Sequence, residues 1–469
     1  MHTQAHLNPT ELSILSIPRE NCWIFASPIL RLLHYESLKV NRFNTGYDSD
    51  FSTEVGEIEE DETDSGEEYG EYDDDVNQQI ITGLSSSWCL PKSANRSIRK
   101  NESMSPISSS GYLEKNDLQV DNSSKAHPQH DALDPSNDSI GSDRRISKDK
   151  DSEEEPFREQ DENYFFHIAF TPIECTVICS SQVMKLLFEE PLQLCHQLKF
   201  DKVKLIEDKF LSLLIDSDGS FDNSSQILEL TKPLSENDIS LFFLSSHFSN
   251  IVLIPYDLKE KVITILSKQN FEFSDISNSY IANQINDDCE LEEVDISQEI
   301  EAVNLELKAF QLFKTTNVQP IINSNVNLLL TGARPGEVKN TILKTARNIS
   351  AGTIPEYFSI TRTSVNEVSL LLPKSTRRRS LMGFSSKNII GSIQDVIIPI
   401  TVDLYELPLD STGIVAGLAS KIINGVKVAA QTDYPFEMNY LSMGQSAIIM
   451  VPKENLSLVS DILKNVSYD

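Results

Sequence analysis

The chain has 469 residues, room for two to four small domains, and its 71 acidic against 40 basic residues give a net charge of −31 at pH 7. That balance argues against nucleic acid or an anionic membrane surface as a partner. No stretch reaches the roughly 18 consecutive apolar residues of a membrane span, and the first 11 residues are polar without a signal-peptide core, so a soluble, cytoplasmic protein is expected.

In chain order, residues 12–17 alternate as a strand, residues 18–21 turn, and residues 23–33 form an apolar helix, half of an α+β unit over 10–36. Residues 37–160 are acidic and Ser-rich with few aliphatic clusters, which predicts a disordered insertion. Two short apolar stretches, 79–82 and 87–90 with Trp88, interrupt it. Two strands (164–170 and 174–179) and a helix through Met184, Leu187 and Phe188 complete the first unit over 161–199. Closure entropy grows only logarithmically with loop length, so a long insertion inside one unit is tolerable.

The pattern recurs over 200–275: a strand at 210–215, a turn through Asp216 and Gly219, a short helix ending near Pro233, a hairpin (239–244 and 250–254) and a second helix. Residues 276–320 read as an acidic linker with one docked element. Ile300, Val303, Leu307 and Phe310 have helical spacing, whereas Val303, Leu305, Leu307 and Ala309 alternate as in a strand. A third unit, 321–395, has a strand, a glycine turn at 332–336, a helix, a hairpin and a basic loop at 374–387. A fourth, 396–467, runs strand, glycine turn at Gly413, helix, hairpin and closing helix. The expected fold class is therefore α+β, four tandem βαββ units with a long insertion in the first.

The chemistry-bearing motifs are few. The Gly413 turn leads into a helix, so backbone N–H groups there are available to a carboxylate; tight strand-to-helix packing explains the same glycine without any ligand. The turn at 332–336 lacks the Lys-Ser/Thr that closes a phosphate loop. The six cysteines (Cys22, Cys89, Cys175, Cys179, Cys195, Cys289) have no zinc spacing and read as buried free thiols. His167, His196 and His247 read as structural, and Asp216 and Asp218 as turn formers. No nucleophile and base share a usable spacing. Neither metal, cofactor nor catalytic residue is expected, and the chain reads as a non-enzyme. Arg-Arg-x-Ser patterns mark Ser147 and Ser380, and Ser152 precedes three glutamates, so these three are candidate phosphorylation sites.

Residues 331–338 (Thr-Gly-Ala-Arg-Pro-Gly-Glu-Val) and 410–416 (Asp-Ser-Thr-Gly-Ile-Val-Ala) resemble the strand-to-helix turn of ACT domains, ferredoxin-like βαββαβ modules that commonly bind amino acids where two of them pair. The order of four such modules is similar to the CASTOR family of cytosolic arginine sensors, with 15–33, 233–241 and 413–416 carrying the closer match. The resemblance implies four ACT-like modules and an amino acid held between the second and fourth. The matching positions are Ser240 and Leu241 on one side and Thr412, Gly413, Ile414 and Val415 on the other. It also implies a GATOR-type complex upstream of the TOR kinase as protein partner, and it leaves a homodimer open. Two positions depart from the family: its acidic guanidinium partner falls on Ala447, and a neighbouring hydroxyl contact on Met443. Losing one member of such a buried pair costs roughly 3–5 kcal/mol, which disfavours arginine as the ligand. A regulatory subunit of amino-acid biosynthesis acting in trans and an ACT scaffold without ligand are the alternatives.

Overall fold

The first strand, β1 (Thr3–Pro18), is 16 residues long and organises the sheet. It begins nine residues before the alternating segment 12–17, because its polar first half is a strand by pairing rather than by pattern. The computed structural model describes residues 3–35, 165–216, 223–269, 271–275, 297–408, 411–430 and 436–464. The insertion 37–160, with Trp88, Ser147 and Ser152, lies outside the described residues, as do Asp218, Gly219 and Asp410.

After β1, a 3-10 turn (Arg19–Phe25) leads into α1 (Ala26–Leu33), followed by β2 (Phe166–Phe170), β3 (Glu174–Ser180), α2 (Ser181–Gln197) and the short β4 (Lys204–Leu205). Ser180 caps α2, its Oγ accepting the Val183 N–H. The second unit runs β5 (Phe210–Asp216), α3 (Asn223–Glu236), β6 (Phe242–Ser245), β7 (Ser249–Pro255), α4 (Lys259–Ser267) and β8 (Phe271–Asp275). Here α3 continues through Pro233 rather than stopping at it. The docked element of the linker is a helix, α5 (Ser297–Thr316), which decides between its two periodicities.

The third unit comprises β9 (Ile321–Ile322), β10 (Leu328–Ala333), α6 (Val338–Ser350), β11 (Phe358–Arg362), β12 (Val368–Pro373), α7 (Thr376–Leu381) and β13 (Ile389–Ile390). The basic loop thus contains a short helix. The fourth has β14 (Ile397–Asp403), α8 (Ile414–Ala430), β15 (Asn439–Ser442), β16 (Ser446–Pro452) and α9 (Leu456–Lys464). The chain is mixed α/β, and each unit places its second hairpin strand in the middle: β2-β3-β1, β6-β7-β5, β11-β12-β10 and β15-β16-β14.

The units do not form separate sheets, as a reading of tandem modules would have them. Adjoining edges pair, β1 with β5, β6 with β15, β14 with β10 and β11 with β2, and these four joints close twelve strands into a barrel-like ring. The closing strand of a ferredoxin-like module is correspondingly reduced or displaced. β4 and β13 are two-residue strands on the first strands of their own units, while β8 pairs parallel with β1 instead of with β5. The edge of β5 that β8 would occupy is already taken by the long β1.

Strand alternation sorts the side chains into three cores. Leu12 and Ile14 of β1 join Ile178, Leu253, Leu371, Ile397 and Met450 in a cluster with no helical residue, which fills the inside of the ring. Outward positions of β1 split: Ala5 and Leu7 lie under α3, α4, α5, α8 and α9, whereas Leu15 and Ile17 lie under α1, α2 and α6. Units two and four therefore share one helical layer, and units one and three the other. The four described cysteines, Cys22, Cys175, Cys179 and Cys195, are buried free thiols. Among the described residues no helix is long and apolar enough to cross a membrane.

A buried carboxylate ties the first unit to the fourth. Glu174, 2% exposed, accepts from Ser16 Oγ at 2.5 Å, Thr176 Oγ1 at 3.2 Å, Ser446 Oγ at 2.5 Å and the Gln445 N–H at 3.0 Å. The Gly444 N–H donates to Thr176 Oγ1, and a Cβ on Gly444 would lie 2.5 Å from that of Ser16, so only glycine lets the hairpin tip come this close. The same joint recurs half a molecule away. The tip of the β6–β7 hairpin sends the His247 N–H to Ser369 Oγ, and its His247 and Phe248 rings lie against Gly332.

Burial raises the Glu174 pKa, against the lowering effect of its hydrogen bonds. A raised carboxylate favours folding in its protonated form: the contribution is present below the unfolded value of about 4.3 and is lost as pH rises through the native value. Urea midpoints of the wild-type protein should therefore fall relative to those of Glu174→Gln as pH increases above about 4.3. Parallel pH profiles for the two proteins would refute this assignment.

Candidate functional site

The best candidate site lies where units two and four meet. β6 and β15 pair at Leu244 and Leu441, the Phe243 N–H donates to Ser442 Oγ at 2.9 Å, and the Tyr440 N–H donates to Ser245 Oγ at 3.0 Å. The Ser224 hydroxyl at the start of α3 donates to the Phe436 carbonyl. Above this joint α3 packs on α8, and Ile227 and Leu230 of the one and Leu418 and Ile422 of the other belong to the shared core.

Each half of the resemblance-derived site sits at a strained or terminal backbone position. α3 ends in a turn with Asp238 at φ +55°, after which Ile239 is buried and Ser240 and Leu241, both half-buried, lead into β6. Asp238 tolerates this left-handed geometry better than most L-residues. On the other side Gly413 is buried with φ +81°, so the turn itself requires glycine, and its carbonyl accepts the Gly417 N–H at 2.8 Å to begin α8. Ile414 and Val415 turn their side chains into the shared core and leave the backbone of the first helical turn at the joint. Leu241 packs against the same core.

The structure brings these halves together through a residue that the sequence pattern did not single out. Lys308 of α5 donates to Asp238 Oδ1 at 3.1 Å and to Thr412 Oγ1 at 3.2 Å, spanning the α3 turn and the glycine turn. Two residues earlier Glu306 accepts from Ser420 Oγ at 2.6 Å and Asn424 Nδ2 at 3.1 Å, both on α8. Ala309 and Phe313 are buried on the same helix, and Phe313 joins the shared core. A polar arm on each side of an apolar stripe thus lays α5 across the joint. Its ambiguous periodicity in the sequence reflects this, since the helix has polar contacts on the side that faces protein.

The two departures from the CASTOR pattern lie on opposite faces of the sheet. Ala447, 1% exposed, belongs to the same core as Ile414 and Val415, whereas Met443, 2% exposed, belongs to the inside of the ring. Ala447 itself offers no carboxylate to a guanidinium and belongs to a hydrophobic core. Elsewhere, His167 is buried with Nδ1 2.7 Å from Thr361 Oγ1, and burial lowers its pKa to about 3, so it is a neutral structural residue. Ser380 is exposed on α7, in the third unit.

Residues 205–268, within the second unit, match the ACT domain. Among curated protein sequences no match to the chain was found. Solved structures with detectable similarity include a protein from Agrobacterium tumefaciens, 16% identical, covering 24% of this chain and 88% of that one with a TM-score of 0.19. Another is an aspartate kinase from Synechocystis, 8% identical, covering 66% of this chain and 51% of the kinase's own length with a TM-score of 0.23. Likeness at that level carries no functional argument.

If α5 is held mainly by its apolar stripe, Phe313→Ala should cost about 3–5 kcal/mol in urea unfolding. Lys308→Ala should cost less than about 1 kcal/mol, because its ion pair is largely exposed. Equal losses for the two variants would contradict this division.

Proposed function

We propose that this chain is an amino-acid-binding regulatory protein whose ligand lies between units two and four. The observation that carries the reading is the convergence of the α3 turn at Asp238–Leu241 and the Gly413 turn under Lys308, within a joint whose second unit matches the ACT domain. An amino acid's carboxylate suits the first N–H groups of α8 and the Lys308 ammonium, and its ammonium suits Asp238. Ser240, Leu241, Thr412, Gly413, Ile414 and Val415 would line the site, and the apolar surroundings of Ala447 favour a ligand other than arginine.

On this reading all four units are ACT-like, and the protein acts by linkage rather than by catalysis. A ligand that stabilises one arrangement of units two and four releases a partner that prefers another. The resemblance to the CASTOR family makes a cytoplasmic GATOR-type complex in nutrient signalling the partner of choice. A scaffold without ligand is the second reading, supported by the burial of Met443 and Ala447 where the family has polar contacts.

Thermal denaturation of the purified protein with each of the twenty amino acids separates the two. A ligand at 100 times its Kd stabilises the fold by roughly 2.7 kcal/mol. Gly413 is buried at positive φ, so substituting it disturbs the turn itself. Ser240→Asp, which brings a negative charge to the joint, should abolish the shift while leaving the ligand-free midpoint near that of wild type. Absence of a shift with all twenty amino acids would sink the sensor reading in favour of the scaffold.

A further inference from the structure

α7 carries Arg377, Arg378, Arg379, Ser380 and Leu381 on a six-residue helix between β12 and β13, and the fold divides these five residues into two classes. Arg379 is 2% exposed, and its guanidinium donates to the carbonyls of Pro373 (3.2 Å) and Lys374. The other four face solvent. Leu381, at 80%, is the most exposed large apolar side chain among the described residues and contributes nothing to either helical core.

That division coincides with what a basophilic protein kinase reads. Such an enzyme recognises guanidinium groups three and two residues before the acceptor serine through carboxylate pockets, and an apolar side chain just after it. The residue immediately before the serine is not read. In α7 the three reading positions, Arg377, Arg378 and Leu381, are free in water together with the acceptor, and the unread position is the one used as an anchor.

We propose that Ser380 is the phosphoryl acceptor of a basophilic serine/threonine kinase. Its Oγ attacks the γ-phosphorus of Mg-ATP; the new O–P bond forms as the bond to the β,γ-bridging oxygen breaks, ADP leaves, and the hydroxyl proton passes to the kinase's catalytic carboxylate. The kinase must draw the segment into an extended conformation. A helix of six residues is far below the length at which a helix is stable by itself, so α7 depends on its cap and on Arg379. The cap is Ser375, whose Oγ accepts the Arg378 N–H at 3.4 Å. Met382 and Phe384, buried in the core of units one and three, hold the following chain when α7 opens. The product places a charge of about −2 beside the two exposed guanidinium groups and neutralises this cationic surface of an acidic protein. None of this depends on the amino-acid site, which lies under the other helical layer.

The test is incubation of the full chain with a purified basophilic kinase and Mg-ATP, with phosphate located residue by residue by mass spectrometry so that Ser147 is counted separately. Near-stoichiometric phosphate on Ser380 is expected. It should be absent in Ser380→Ala and slowed at least tenfold in Arg377→Ala/Arg378→Ala, whose exposed side chains carry no packing. Arg379→Ala, which removes the anchor but no reading position, should be modified at least as fast as wild type. An unmodified Ser380 in the folded chain, or a loss in Arg379→Ala as large as in the double variant, overturns the proposal.

Discussion

A three-stranded antiparallel unit has two open edges, and this molecule is arranged around covering them. Unpaired edge N–H and C=O groups invite association with other chains unless they are paired or shielded. Here each unit offers one edge of its first strand and one edge of its hairpin, and the four units join first strand to first strand and hairpin to hairpin until the ring closes at Leu328 and Ile397. The length of β1 makes this possible, because one strand serves two units and both helical layers. The fourth strand of a ferredoxin-like module has little edge left to occupy, and it shrinks to two residues or moves to another unit.

The candidate site follows from that closure. Hairpin-to-hairpin joining of units two and four aligns α3 with α8, so the turn after one helix and the turn before the other fall side by side. Two backbone positions with positive φ, Asp238 and Gly413, shape this region, and α5 spans them with a single lysine. The linker helix is thus held across the joint by both polar contacts and apolar burial. Lys308 bridges the α3 turn and the Gly413 turn, whereas Glu306 holds α5 to α8 alone.

Polar joints inside the ring give the assembly its register. Thr176 and Ser369 occupy the same place relative to the paired first strands, opposite Ser16 and Gly332, and each accepts an N–H from the tip of another unit's hairpin. This correspondence relates the first two units to the last two. One joint has been elaborated with the Glu174 carboxylate, whose donors come from three strands and a hairpin tip. A buried acceptor of this kind is costly when its donors are missing, so it disfavours alternative registers more than it adds net stability.

Much of the local structure was legible in the sequence. Alternating apolar residues located most strands, the Gly413 turn was read as strand-to-helix geometry, and the recurring βαββ order emerged despite little residue identity between copies. These features depend on neighbours within a few residues, which periodicity records directly. The first half of β1 was not legible, since its polar residues are ordered by β5 and β8, more than two hundred residues away. Glu174 at the start of an apolar strand was a visible signal, but only the hairpin tip from the fourth unit shows what it holds. Lys308, Asp238 and the burial of Arg379 likewise had no sequence signature, because a charged side chain's role is set by what the fold brings within about 3 Å of it. Sequence alone determined most of the elements and the glycine turn; edge closure, through non-local hydrogen bonds, decided which turns would meet.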